Sequence, residues 1–228
     1  LNQPVIVIEV HFNSIYFSDN IYNQDWIDYR MKLTMDYTVR SFIGQSDTNF
    51  HTFIYYMDGT EALINQALQP YPPLPAHIQF VPISERDARV SEAILGSERA
   101  FVARIDSDNM FSRDYVERLR AYVPKSTTEV IITQHGYLYD CTSHRMAKVT
   151  YRSPSFFAFL YNTQDYLAGK RYAVKTHNDA INYRYELLGG RNFVVVIHQS
   201  NELLRFKVKS SELIEPSQVD ALLSLFKV

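Results

Sequence analysis

The residues best suited to chemistry sit in one phrase, Arg104-Ile105-Asp106-Ser107-Asp108-Asn109. An apolar run delivers two carboxylates, one residue apart, into a loop ahead of a helix. Carboxylates this close repel each other, and a divalent cation between them keeps both ionised. A hard cation such as Mn2+ or Mg2+ takes one or two carboxylates and fills its remaining positions with other oxygens, those of a substrate diphosphate included. The phrase also suits a solvated turn in which Asp108 or Ser112 caps the next helix. Its place at the C-terminal end of an interior strand, where open α/β sheets bind ligands, favours the metal reading. His198 follows the apolar run Phe193–Ile197 and opens the polar Gln199-Ser200-Asn201, so its imidazole can complete a shell with Asp106 and Asp108. His177-Asn178-Asp179 reads as a turn and helix N-cap, or as acceptor binding and general-base chemistry. The histidines His11, His51, His77, His135 and His144 lack metal-ligand spacing such as HExxH.

These residues need elements to hold them. Val5–Phe12 is a β-branched, buried strand. From Asp25 to Gln45 the spacing turns helical, with Trp26, Tyr29, Leu33 and Tyr37 as its apolar stripe and a stop near Gly44. Strands follow at 50–57, 77–81 and 100–105, alternating with helices at 61–68 and 88–95, the latter capped near Gly96. This βαβαβαβ order predicts a mostly parallel sheet covered by helices. A helix at 112–122 with Ser112 as N-cap comes next. Short strands at 130–133, 137–140 and 146–152 predict an antiparallel patch. Phe193–Ile197 is the last buried strand, and 216–226 a helix with Val219, Leu222, Leu223 and Phe226 on one face.

The chain has 228 residues, a length that one domain with a single core accommodates. Lys plus Arg number 23 against 25 for Asp plus Glu, so no basic excess favours a nucleic-acid partner. A hydrophobic fraction of 46% excludes a disordered chain. No apolar stretch is long enough for a membrane span. The single Cys141 forms no intramolecular disulfide, and no leader pattern opens the sequence, which together predict a cytoplasmic location. The 17 Tyr and 14 Phe divide by position. Phe53, Tyr55 and Phe101 fall on interior strands and are packing; Tyr137, Tyr139, Tyr151, Phe156, Phe157 and Tyr161 fall where sugar-stacking aromatics would belong.

The helix from Tyr29-Arg30 to Tyr37, and Arg40-Ser41-Phe42-Ile43-Gly44-Gln45-Ser46-Asp47-Thr48-Asn49-Phe50 after it, resemble the rhamnosyltransferase group of glycosyltransferases. Val10-His11-Phe12-Asn13, the Arg104–Asn109 phrase and Ile197–Asn201 also resemble that group. The resemblance runs in order from about residue 5 to 201 and is tightest at Arg40–Phe50 and at the Asp-Ser-Asp phrase. It implies a GT-A fold across 1–228, with a nucleotide-sugar-binding half at 1–125 and an acceptor-binding half at 126–228. It also implies transfer of a sugar, rhamnose by the family label, from a UDP- or dTDP-sugar to a glycan hydroxyl, with Mn2+ or Mg2+ as cofactor. Peripheral membrane contact is compatible with such an acceptor. Carried onto this chain, Asp108 is the direct metal ligand, Asp106 meets metal or ribose, and His198 is the third protein ligand. His11, Asn13, Arg86 and Arg104 border the donor, with Asp87 or Arg89 beside Arg86. If the anomeric centre inverts, a carboxylate must take the acceptor's proton, and Asp179 leads Asp140 as the candidate. A binding protein of the same fold without transfer activity is the alternative reading. A phosphohydrolase would recruit more carboxylates and histidines than these.

Overall fold

The computed structural model describes residues 3–15, 19–199 and 205–227. Strands β1 (Val5–His11), β2 (His51–Tyr56), β3 (Ile78–Pro82) and β4 (Arg99–Asp106) run parallel in the order β4-β1-β2-β3. Parallel neighbours need crossovers, here supplied by helices α1 (Gln24–Leu33), α2 (Arg40–Ile43), α3 (Glu61–Leu68) and α4 (Arg86–Ile94). After β4 come β5 (Met110–Phe111), α5 (Tyr115–Ala121), β6 (Val130–Ile132), β7 (His135–Asp140), β8 (Arg145–Thr150) and β9 (Phe157–Asn162). The chain closes with α6 (Thr163–Leu167), β10 (Tyr185–Leu187), β11 (Arg191–Ile197) and α7 (Val219–Leu223). The larger sheet has seven strands, β10-β6-β9-β4-β1-β2-β3, with β9 antiparallel to both neighbours. The smaller is β5-β11-β7-β8. This is the mixed α/β architecture expected, a mostly parallel sheet with a smaller second element.

Two expectations need correction. Residues 130–132 join the large sheet through β9 and β10, leaving β7 and β8 as the antiparallel hairpin. The smaller sheet is itself mixed, since β11 and β7 run parallel. Strands β6, β9 and β10, which follow residue 125, complete the large sheet. The strand β9 hides in an aromatic-rich stretch, but its period is two: Phe157, Phe159 and Tyr161 face one core layer and Ala158 the other.

Aromatic residues expected to stack on sugars are largely packing. Tyr139, Phe156, Phe157 and Tyr161 are buried, and Phe156 stacks on Phe193 with centroids 4.0 Å apart. Tyr137 and Tyr151 remain half-buried. Val194, Val196, Met110 and Met146 meet Val219, Leu223 and Phe226, so the C-terminal segment packs as its spacing predicts.

The first helical segment continues unbroken from α1 through a π-helical stretch, Thr34–Val39, into α2. Its buried side carries Ile27, Met31, Thr34, Met35, Thr38 and Phe42 together with Leu33. Tyr29, placed by spacing on the apolar stripe, is instead 36% exposed. Ile27 and Met31 have no polar tip and take the inner face, which leaves the Tyr29 phenol free for a polar neighbour. Ser112 does not cap α5: Asp114 occupies the N-cap position, and the Ser112 hydroxyl donates to its carboxylate at 2.7 Å.

Candidate active site

The Asp-Ser-Asp loop leaves β4 and returns at once as β5, which pairs antiparallel with β11, Met110 opposite Val194. Asn109 fixes this return. Its backbone N–H donates to the Asp106 carbonyl at 3.2 Å, its side-chain oxygen accepts from Val196 N–H at 3.1 Å, and its carbonyl accepts from the Thr38 hydroxyl at 2.8 Å. The pairing brings Asp108 against the residue that follows β11. His198 Nε2 lies 3.2 Å from Asp108 Oδ2, with the imidazole 2% and the carboxylate 14% exposed. The Tyr29 hydroxyl stands 3.4 Å from His198 Nδ1 on the other side of the ring. Arg30 Nη2 donates to the Ser107 hydroxyl at 2.6 Å, while its buried Nε has no hydrogen-bond partner among the described residues. Asp106 accepts from Arg104 Nη2 at 3.1 Å.

The neighbouring end of β1 faces the same loop, with His11 opposite Asp106. His11 Nδ1 is 2.8 Å from the Ser14 hydroxyl. Burial lowers its pKa and the Arg104 and Arg86 charges add to this, against the raising effect of Glu9 and Asp106. Asn13 is buried and ties its loop to β2 by accepting from Met57 N–H at 3.0 Å and donating to the Ile21 carbonyl at 3.1 Å. Arg86, expected at the donor, forks onto Glu9 at 2.7 and 2.8 Å, and Tyr55 donates to the same carboxylate at 2.8 Å. Burial pushes Glu9 upward, but the Arg86 bonds and charge, with the Tyr55 hydroxyl, outweigh it and hold the carboxyl below its ordinary value. Asp87 pairs with Arg171 at 3.3 Å and Arg89 with Glu85 at 2.9 Å. Glu9 was legible as the lone carboxylate inside an apolar strand, a position acidic side chains occupy only when paired. Tyr29 and Arg30 gave no signal beyond their place in the resembling phrase.

That phrase serves as a clamp. Gln45 donates to the carbonyls of Ser41 and Ser112 at 2.9 and 2.7 Å and accepts from Val116 N–H at 3.0 Å. Ser46 N–H donates to the Arg113 carbonyl at 2.7 Å, and Asp47 pairs with Arg120 at 2.5 Å. Together they fix β5 and the start of α5, and through β5 the Asp108 loop.

The two carboxylates considered as bases hold backbone. Asp179 accepts from Lys175 and Thr176 N–H, each at 2.9 Å, and closes a capping box on the 3-10 turn His177–Asn182. Asp140 lies opposite Ile197, one residue from His198, and accepts from Thr142 and Ser143 N–H at 3.0 and 3.2 Å. Burial would raise its pKa, but bonds from Ser143, Arg145 and Thr142 hold it low, which weakens it as a proton acceptor. Ser200 and Asn201 lie outside the described residues.

Among the described residues no group of three His, Cys, Asp or Glu side chains stands close enough to hold a metal ion. Asp108, in the loop after β4, and His198, after β11, do form a pair of hard and borderline donors. Such a pair fits a cation that completes its shell with diphosphate and water oxygens, as Mg2+ and Mn2+ do. No helix among the described residues is long and apolar enough to cross a membrane.

A family model described as "Putative rhamnosyl transferase" matches residues 17–202. No curated protein matches the sequence. Among solved structures, S. aureus TarS 1-349 in complex with UDP aligns at 10% identity and TM-score 0.49, covering 85% of this chain and 60% of that one. The complex with UDP-GlcNAc aligns at 10% identity and TM-score 0.49, over 86% of this chain and 60% of that one. A 4-diphosphocytidyl-2C-methyl-D-erythritol synthase from Anaerococcus prevotii aligns at 13% identity and TM-score 0.38, over 97% and 96%. The chain thus spans about 60% of the TarS fragment it aligns with.

Proposed function

This chain belongs to the rhamnosyl transferase family, and we propose that it moves a sugar, rhamnose by family, from a UDP- or dTDP-sugar to a hydroxyl of a glycan acceptor. The observation that carries this reading is the contact between Asp108 and His198, built by the β5–β11 pairing at the C-terminal edge of the sheet. Asp108 and His198 would hold Mn2+ or Mg2+, with Asp106 on the same loop as Asp108. When bound, such a cation stabilises negative charge developing on the departing nucleoside diphosphate. The chain's own residues position the donor. Arg30 and Asn109 hold Ser107 and Asp108 in the loop, and Tyr29 orients the His198 ring. His11 at the end of β1 borders the same edge, and burial favours its neutral form there. Arg86 acts through Glu9, fixing the floor of β1, which makes it a positioning residue.

Differential scanning fluorimetry tests the reading. UDP or dTDP is expected to raise the melting temperature only with Mn2+ or Mg2+ present, and the sugar donor to be hydrolysed slowly without acceptor. Stabilisation independent of metal, or none, counts against it. Metal-dependent stabilisation without any donor turnover points to a nucleotide-sugar-binding protein.

A further inference from the structure

Beside β8, on the far side of β7 from β11, lies a groove of about 350 Å³ that none of the residues above accounts for. Its lining includes Lys148, Arg205, Lys207 and Lys209, with Glu212 as the acidic residue. The segment Arg205-Phe206-Lys207-Val208-Lys209 alternates: Phe206 and Val208 pack against the core, and the three cations are exposed. All three cations therefore share the exposed side of one segment. Lys148, Lys207 and Lys209 join no ion pair among the described residues. The whole chain carries a net charge of -2, so this cationic concentration is local and not a by-product of a basic protein. Leu138 and Tyr151 give the groove an apolar and aromatic wall.

We propose that this groove binds a negatively charged saccharide, the anionic part of the acceptor. The proposal deepens the transferase reading and rests on it for the word acceptor. Cations beside an aromatic wall suit a sugar ring bearing a phosphate or a carboxylate, the ring against Tyr151 and the anion against the lysines. The groove's volume matches one or two sugar units and the size range of small-ligand sites. A nucleic acid would call for a longer basic stripe, and a lipid surface for a flat or protruding face. Its position is suitable for an acceptor subsite. Leu138 lies opposite Val195 on β11, three residues before His198 and therefore about 10 Å along the strand.

The test titrates glucose 6-phosphate, trigalacturonic acid and neutral maltotriose into the full chain saturated with UDP and Mn2+, followed by NMR line broadening. Both anionic sugars, or one of them, are expected to bind more tightly than maltotriose. Binding is expected to weaken about tenfold as NaCl rises from about 50 to about 500 mM. The phosphate and carboxylate arms show which anion the groove selects. The K207E/K209E variant alters exposed side chains that are not part of the Asp108–His198 pair and is expected to lose that binding. K125E, outside the groove, is expected to keep it. Unchanged binding by K207E/K209E, or equal binding of maltotriose, overturns the proposal. So does a K207E/K209E-sensitive attachment to phosphatidylglycerol vesicles without sugar binding. The Mn2+-dependent melting shift with UDP, recorded on the same variants, reports the transferase reading separately: its loss in the wild-type chain sinks that reading, and saccharide titration alone decides the groove.

Discussion

Two segments stand out equally in the sequence, Arg40–Phe50 and Arg104–Asn109, yet they do different work. In the first, Ser41, Gln45 and Asp47 direct their polar atoms at backbone groups or at an ion pair within the fold. In the second, Asp106 and Asp108 point at side chains, Arg104 and His198, where β4 and β11 end. A polar residue that satisfies main chain is part of the frame. One that faces another titratable side chain at a strand end is available for chemistry. The frame nonetheless governs the site, because Gln45, Ser41 and Thr38 grip residues 109–116, and so set where Asp108 stands.

The comparison is sharpest at its extremes. Asp108→Asn is expected to lower transfer about a thousandfold, a loss of about 4 kcal/mol of transition-state stabilisation, without lowering the melting temperature. Initial rates and a thermal melt on the same sample check it. Gln45→Ala is expected to do the reverse. Leaving Val116 N–H and two carbonyls without a partner costs about 3 kcal/mol of stability, readable by urea denaturation, while donor turnover in the cold is retained. Asn109→Ala joins the two segments and should show both effects in smaller measure. About tenfold weaker UDP binding in Mn2+ and about 1 kcal/mol of stability are expected, and calorimetry that finds neither would detach the loop from its frame.

The smallest expected effect concerns pH. Burial holds His11, His51 and His77 below the ordinary imidazole value of 6.5. The unfolded chain therefore takes up protons before the folded one does. Stability is complete above that value and declines as pH falls through it toward the depressed folded values. The His77 ring lies edge-on to Phe50 of the clamp, with centroids 4.8 Å apart. Melts at about pH 7.5 and about pH 5.5 should differ by a few degrees, and His51→Gln with His77→Gln should flatten that slope where Asp108→Asn leaves it intact.

Much of the fold was legible because its strands are apolar runs closed by turn residues, and the helix 61–68 is found where its spacing predicts. The strand β9 was missed because Phe156, Phe157 and Tyr161 read as sugar-stacking aromatics, although alternation of Phe157, Phe159 and Tyr161 with Ala158 marks a strand buried on both faces. For the site, Asp108 and His198 were legible as polar residues at the ends of apolar strands. The Arg86 contact with Glu9 was not, because a lone arginine ahead of a helix carries no sign of a partner 77 residues away. The cap at Asp179 was legible as a turn and N-cap, whereas the turn that Asp140 holds through Thr142 and Ser143 N–H was not.

The most direct test of the central claim is a calorimetric titration of UDP into the wild-type chain and into Asp108→Asn, each with and without Mn2+. Binding by the wild type only with Mn2+, and by the variant under neither condition, is the predicted result. Equal affinity with and without the metal, or an affinity unaltered by the substitution, would contradict a donor site built on Asp108 and His198.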